Sequence, residues 1–575
     1  MEAEPSPDIA QEPVSDPEPI PEPETEPEPE PEPEWDFVLP EVNAPETLHA
    51  TDADGNGMFM LGDLIGAVQK GATYATIQGY LRTTDQRAAM RNINGIVKGF
   101  PSMFYVVARN DEWLVRLFGS YGADVNVAHV KSGVPLLGFA IALAENIQAD
   151  TTMMVETLLS LGATADVLPK AFYAPYLRDM HAAGPHEEEL IDLEDKNKQW
   201  CTESVRGRLG RTINLSQRYY LDKSTKVLKP SWRHKQVAKL KRAEALLGIN
   251  YFLIGQTVAA NMLMRKFLSY MVLPKKKPLV MVFAGPSGHG KTELARRLGY
   301  LLSLDFLPVD CTTVSHEREL FGPRAPMVGA EQGSPLNNFL ARHTGQRAIV
   351  FLDEFEKTNQ DVHKTLLIPF DNEGGEYEDR RNRTNVDCSK IIWILATNAL
   401  DPTIKKFCEH NSAAIFDDTK PLAQEEALKR LASAIKDDFK EKFKPPLTGR
   451  ITSFLPFLHF SPGEAAVIAH KYVNELDNKM RQPVNLAPGP EQKLFGNVRL
   501  RVPKDASVCK AIIMDGGYDV DLGARSIITA VDAKLEDLVV DTYLEVDREI
   551  EEDQEMEVYV VDVERSQIVV RPAQK

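Results

Sequence analysis

The sequence predicts a multidomain chain: a C-terminal α/β fold on a parallel sheet, an all-α repeat array before it, and an extended acidic tail in front of both. Three observations carry this. Apolar runs at residues 279–284, 348–352 and 391–397 read as buried parallel strands. A Gly-x-Pro start recurs at Gly99 and Gly133, 34 positions apart, and each copy ends in a Gly-Ala turn. The first 44 residues alternate Glu with Pro and contain no Lys or Arg.

In chain order, the tail spans 1–44. It holds 13 acidic residues in its first 34 positions, so most of the formal charge of −18 resides there and the remainder carries about −5. With too few apolar side chains for a core, it is expected to be disordered, a solubilising spacer in preference to an interaction segment. Residues 45–190 carry the repeat. Val115 to Leu117 lead into Gly122-Ala123-Asp124, and Val155 to Leu159 into Gly162-Ala163-Thr164. A Pro-initiated helix and a Gly-Ala-Asx turn at this period resemble ankyrin repeats, whose concave faces bind other proteins. Residues 63–81 read as a degenerate earlier unit. Asp52, Asp54, Asn56 and Asp63 mimic a calcium loop, but Phe59 and Met60 fit its later positions poorly and an Asx-rich turn is favoured.

Residues 191–246 form a charged linker, acidic and then basic, with Tyr219, Tyr220 and Trp232 among the cations from Arg206 to Arg242. That mixture raises nucleic-acid binding as an option. A solvated linker is favoured, because the folded part has no basic excess.

Gly285, Pro286, Ser287, Gly288, His289, Gly290, Lys291 and Thr292 fit G-x-x-x-x-G-K-[ST] between a strand pattern and a helix pattern, the context that a phosphate-cradling loop requires. The glycines admit phosphate to backbone N–H groups, Lys291 reaches the β- and γ-phosphates, and the Thr292 hydroxyl ligates Mg²⁺. The strand at 348–352 delivers Asp353, a second Mg²⁺ ligand, and Glu354, a general base for the attacking water. A third strand ends at Asn398, whose amide orients that water or simply closes a turn.

From Gly255-Gln256 onward, these motifs resemble the AAA+ module of the Clp family, in particular the second ring of ClpB-type disaggregases. The quoted matches are Gly285 to Leu294, Phe351 to Lys357, Leu395 to Asn398, Arg450-Ile451 and Gly523-Ala524-Arg525. The resemblance implies a large P-loop ATPase domain over 247–455 and a small α/β lid over 456–575. It also implies a homo-oligomeric ring, expected to be a hexamer, in which Arg450 reaches a neighbour's γ-phosphate and Arg525 contacts nucleotide within its own subunit. At the pore position, where the family carries an aromatic, this sequence has Met327-Val328. Methionine still permits an adaptable grip. The alternative for Met327 is a core filler.

The expected function is ATP-dependent remodelling of misfolded or aggregated protein clients, with ATP and Mg²⁺ as cofactors and an ankyrin-bound adaptor or client as a further partner. The rivals are a scaffold whose assembly nucleotide sets and a remodeller of nucleic acid. No apolar run is long enough for a membrane span. Five cysteines form no C-x-x-C pair, favouring a reducing compartment. The acidic start is unlike a signal or transit peptide, so the cytoplasm is expected, with the mitochondrion of the ankyrin-bearing animal relative as the alternative. No catalytic serine or zinc constellation suggests built-in proteolysis.

Overall fold

A helical repeat is closed twice by the same asparagine device. Helices α1 (Leu61–Gln69), α2 (Tyr74–Thr83) and α3 (Gln86–Asn92) lead into the short hairpin β1 (Ile96–Val97) and β2 (Phe100–Pro101). Two helix pairs follow: α4 (Ser102–Ala108) with α5 (Glu112–Ser120), and α6 (Leu136–Ile147) with α7 (Thr152–Ser160). Asn94 Nδ2 donates to Gly122 O at 3.0 Å while its Oδ1 accepts from Asp124 N at 2.7 Å. Asn126 repeats this with Gly162 O and Thr164 N, both at 3.1 Å. The residue that opens each unit thus ties down the turn that closes it. Gly122 and Gly162 sit at φ +90° and +107°, the left-handed stop that ends a helix without a Cβ penalty. α1 and α2 supply a helix pair where the degenerate unit was expected.

This computed structural model describes residues 35–48, 58–227, 229–241, 243–273, 276–324, 326–415 and 421–573. Residues 1–36 separate as a unit of their own, of which only Trp35 and Asp36 are described, so residues 1–34 of the acidic tail lie outside the described residues, as do residues 52–57 of the calcium-like loop. The end of the stretch expected to be disordered is packed instead: Phe37 and Val42 are buried, Phe37 stacks on Phe139 of α6, and Gln69 Nε2 donates to Pro40 O at 3.1 Å.

The stretch expected to be a solvated linker is folded instead. It carries α8 (Glu203–Thr212), α9 (Leu215–Lys226) and α10 (Trp232–Leu240), and every residue from Leu215 to Ser224 is buried. Several of its basic residues find partners within the chain. Arg211 Nε pairs with Glu145 at 2.9 Å, Lys223 Nζ donates to Leu253 O at 2.9 Å, and Arg218, only 1% exposed, pairs with Asp505 at 2.6 Å. Arg218 also donates to Tyr176 O and Ile213 O, each at 3.1 Å, which uses most of its guanidinium protons. Opposite charges buried with their hydrogen bonds satisfied are tolerated, but removing one partner strands the other, at about 3–5 kcal/mol. Arg218→Ala is therefore expected to lower the urea midpoint of the C-terminal region well below that of Lys471→Ala, an exposed control. Equal midpoints would show that the pair contributes nothing to stability.

Next come α11 (Thr257–Val272), β3 (Leu279–Ala284), α12 (Lys291–Leu301), β4 (Phe306–Asp310), α13 (Glu317–Phe321), α14 (Pro335–Arg342) and β5 (Ile349–Asp353). After α15 (Gln360–Leu366), the hairpin β6 (Glu376–Glu378) and β7 (Asn385–Asp387) precedes β8 (Ile392–Thr397), α16 (Asp401–Ile415), α17 (Pro421–Phe443), α18 (Pro445–Thr448) and β9 (Ser453–Pro456). Five of these strands form one parallel sheet in the order β4-β5-β8-β3-β9. Side-chain alternation gives it two apolar faces. Val280, Val282, Val350, Leu352, Trp393 and Leu395 pack into one core, and Met281, Phe283, Ile349, Phe351, Ile392 and Ile394 into the other. Pro308, which has no N–H to donate, falls on the edge strand β4.

The last segment comprises α19 (Pro462–Met480), β10 (Val498–Arg501), α20 (Asp505–Ile513), α21 (Ala524–Val531), α22 (Asp537–Leu544), β11 (Glu557–Glu564) and β12 (Gln567–Pro572). α19 starts at a capping box of Ser461 and Glu464 with Pro462 in its first turn. The N-terminal helical region is bonded to this segment through Asp179 to Ser507 N at 3.0 Å, Lys510 Nζ to Leu177 O at 2.9 Å, and Arg218 to Asp505. Among the described residues, no helix is long and apolar enough to cross a membrane.

Candidate nucleotide site

β3 runs out at Ala284 into a loop whose glycines hold conformations closed to other residues. Gly288 and Gly290 lie at φ +73° and +88°, and a Cβ on Gly288 would come within 2.2 Å of Leu522 O. α12 then starts at Lys291, so its unpaired N–H groups and positive end face the loop. Lys291 Nζ donates to Gly285 O at 2.5 Å, Pro286 O at 2.7 Å and Asn398 Oδ1 at 2.7 Å. Burial lowers its pKa, and Asp401, Glu356 and Asp353 nearby oppose that fall.

β5 delivers the acidic pair beside this lysine. Thr292 Oγ1 donates to Asp353 Oδ2 at 3.1 Å, and Glu354 N donates to Asp353 Oδ1 at 3.0 Å. Glu354 itself adopts φ +50°, a left-handed backbone unusual outside glycine that turns the chain off the strand. β8 brings Asn398, whose N–H donates to Glu356 Oε2 at 3.2 Å. Burial raises the Asp401 carboxyl, opposed by Lys291.

Lys291, Thr292, Asp353, Glu354 and Asn398 line a cavity of about 480 Å³, within the range of small-molecule sites, with Glu356 and Asp401 behind them. Ser287 to Thr292, Asp353, Glu354, Asn398 and Arg525 all border it. Gly285 and Pro286 contribute the carbonyls that hold Lys291. The lid joins through Ala524 N, which donates to Gly288 O at 3.0 Å.

His289 borders the cavity with the rest of the loop, while its side chain packs against the lid. Its ring stacks on Phe460 at 4.7 Å, Nδ1 bonds Ser287 O at 2.8 Å, and burial lowers its pKa to about 4, leaving it neutral. A Cβ on Gly523, at φ +58°, would lie 2.7 Å from that ring. Gly523→Ala combines a strained backbone, about 1–3 kcal/mol, with this clash. It is expected to weaken nucleotide binding about tenfold or more in a fluorescence titration; unchanged affinity would separate the lid contact from binding.

Three predicted residues stand apart from the cavity. Arg450, after α18, donates from Nη1 to Pro446 O at 3.1 Å and does not border the cavity. Met327 and Val328 are 53% and 100% exposed, which removes the core-filler alternative for Met327. Conversely, Glu356 and Asp401 belong to the site but were assigned no role from sequence. Their spacing from Asp353 and Asn398 was the available signal.

The donor set fits Mg²⁺ with ATP. A hydroxyl and a carboxylate 3.1 Å apart are oxygen ligands of the kind that ion takes, with phosphates and water completing its shell. Among the described residues, no cluster of three or more His, Cys, Asp or Glu side chains offers a self-sufficient metal cage.

Residues 276–454 match the family model of the AAA domain (Cdc48 subfamily). Residues 276–454 therefore carry an AAA domain. The ATP-dependent Clp protease ATP-binding subunit ClpC of Staphylococcus aureus, in strains USA300 and N315, is 27% identical over 295 residues, 49% of this chain and 32% of ClpC. The chain therefore spans about a third of the length of these relatives. Among solved structures, a closed-state reconstruction of Hsp104 with ATPyS and FITC casein aligns with a TM-score of 0.40 and 18% identity, over 76% of this chain and 69% of that one. The S. cerevisiae Hsp104:casein complex in its extended conformation gives 0.43 and 19% over the same shares. ATP hydrolysis is the reaction of the AAA module.

Proposed function

We propose that the protein remodels other proteins with the energy of ATP hydrolysis, as a ring of identical subunits, expected to be a hexamer. The observation that carries this reading is the pair Met327 and Val328, apolar and exposed on the same module that binds the nucleotide. Exposed apolar side chains that do not pack internally suit transient contact with unfolded chains. Lys291, freed from its carbonyl partners, binds the β- and γ-phosphates. Thr292 and Asp353 hold Mg²⁺, which when bound neutralises phosphate charge. Glu354 takes the proton of the attacking water and Asn398 orients it. Arg450 of the adjoining subunit and Arg525 of the same one stabilise charge at the γ-phosphate. The ankyrin-like repeats over 45–190 supply a face for a client or adaptor. Five cysteines, all buried and unpaired, support a reducing compartment such as the cytoplasm.

The nucleic-acid reading is disfavoured, because Arg211, Arg218 and Lys223 of the basic stretch are engaged inside the chain. ATPase turnover measured with unfolded casein and with single-stranded DNA separates the readings. Stimulation by casein alone is expected, reduced severalfold in Met327→Ser. Stimulation by DNA alone would reverse the assignment, and stimulation by neither would leave a nucleotide-set scaffold.

A further inference from the structure

The nucleotide cavity extends to a wall that the AAA module does not supply. Thr152, Met153 and Glu156 of α7, in the N-terminal repeats, border it together with Tyr220 of α9. α7 is anchored in that place. Asn214 Nδ2 donates to Thr152 Oγ1 at 2.9 Å and to Asp150 Oδ1 at 3.0 Å, and Gln217 Nε2 donates to Thr151 Oγ1 at 3.0 Å. Its last residue, Ser160, lies so close to the segment ahead of the phosphate loop that a Cβ on Gly248 would come within 2.5 Å of it.

Phosphates on the glycine loop direct the base away from Lys291, towards the apolar part of the cavity. Leu253, Ile254 and Ile468 border that part, and Met153 and Ile528 stand 48% and 37% exposed. Open apolar side chains in a cavity suit the faces of a planar base. Asp150 and Glu475 also border the cavity, and Glu156 is the carboxyl that α7 itself contributes. It is hydrogen-bonded to Tyr220 and influenced by Arg297, Lys471 and Glu112, and burial pushes its pKa up to about 7. Tyr220 has a single proton to give, which leaves Glu156 acceptor capacity for a ligand.

We propose that α7 closes the base end of the ATP site and that Glu156 selects adenine by accepting a hydrogen bond from its exocyclic amine. Guanine carries a carbonyl at that ring position, and neither it nor the ionised Glu156 carboxylate has a proton to share there. A buried polar group left unpaired by the wrong ligand discriminates more strongly than an apolar wall does. The helical repeats would then hold part of the nucleotide site as well as a binding face. This inference rests on the ATPase reading of the cavity.

The test compares mant-ATP and mant-GTP binding to the full chain. Wild type is expected to prefer ATP. In Glu156→Gln, which keeps the volume and can donate to the guanine carbonyl, that preference is expected to fall about tenfold or more. An unchanged preference would overturn the assignment of Glu156. As a second measurement needing no substitution, 8-azido-ATP is irradiated on wild-type protein. Labelling within residues 150–160 is expected, and labelling confined to residues beyond 246 would overturn the α7 wall. Failure of wild type to bind either nucleotide would instead sink the ATPase reading.

Discussion

Arg450→Ala is expected to lower ATP turnover by about 10³–10⁵-fold while leaving ATP affinity nearly unchanged, because an arginine supplied in trans acts on transition-state charge. The structure makes this a sharp expectation. Arg450 does not border the cavity of its own chain, and its Nη1 is bonded to Pro446 O after α18. Its Nε is buried with no hydrogen-bond partner among the described residues, so the guanidinium is not fully engaged within its subunit. A merely structural role would cost stability and spare catalysis in whatever folds. A shared site behaves differently. Arg450→Ala and Glu354→Gln subunits, each inactive alone, regain turnover when mixed, because a Glu354 from one and an Arg450 from the other complete roughly one site in four. Absence of recovery on mixing, with rings forming, would exclude the shared site. Full turnover in Arg450→Ala would exclude any role for the arginine.

The phosphate end of this site was legible in the sequence because its parts are local. Gly285 to Thr292 are contiguous, and Asp353 and Asn398 each close an apolar run, so strand ends and chemistry coincide. The parallel sheet was legible for the same reason: all six residues of β3 and of β8 are buried, and both read as apolar runs apart from the closing Thr397 of β8. What escaped depends on distant pairing. Arg218 and Asp505 are 287 positions apart, and nothing near Arg218 in the chain marks it as a buried ion-pair partner in preference to a surface cation. The α7 wall was hidden likewise, since Glu156 sits in an amphipathic helix where a carboxylate ordinarily faces water. His289 lies inside a phosphate motif, yet its role is set by Phe460 and Gly523, far along the chain. Asn94 and Asn126 could have been found: they are 32 positions apart, each opening a unit at the repeat period.

The chemistry turns most directly on Glu354, and here two neighbouring carboxylates make opposite forecasts. Glu356 already accepts from Asn398 N–H, so it holds the end of β8 in place. Losing one charged hydrogen bond of that kind costs about 1.5–3 kcal/mol, or roughly ten- to a hundredfold in rate if all of it is felt in the transition state. Glu354 makes no such bond among the described residues, borders the cavity, and is held there at φ +50°, a conformation costing about 1–3 kcal/mol that the surrounding structure must offset. A strained, unengaged carboxylate bordering the cavity fits a base and not a brace. Glu354→Gln retains shape and removes the proton acceptor. It is expected to cut turnover by about 10²–10⁴-fold, with ATP recovered intact from the protein after gel filtration. Asp353→Ala, by contrast, is expected to lose Mg²⁺-dependent ATP retention itself. Single-turnover hydrolysis in Glu354→Gln within tenfold of wild type would transfer the role of base to another group, with Glu356 the first to examine.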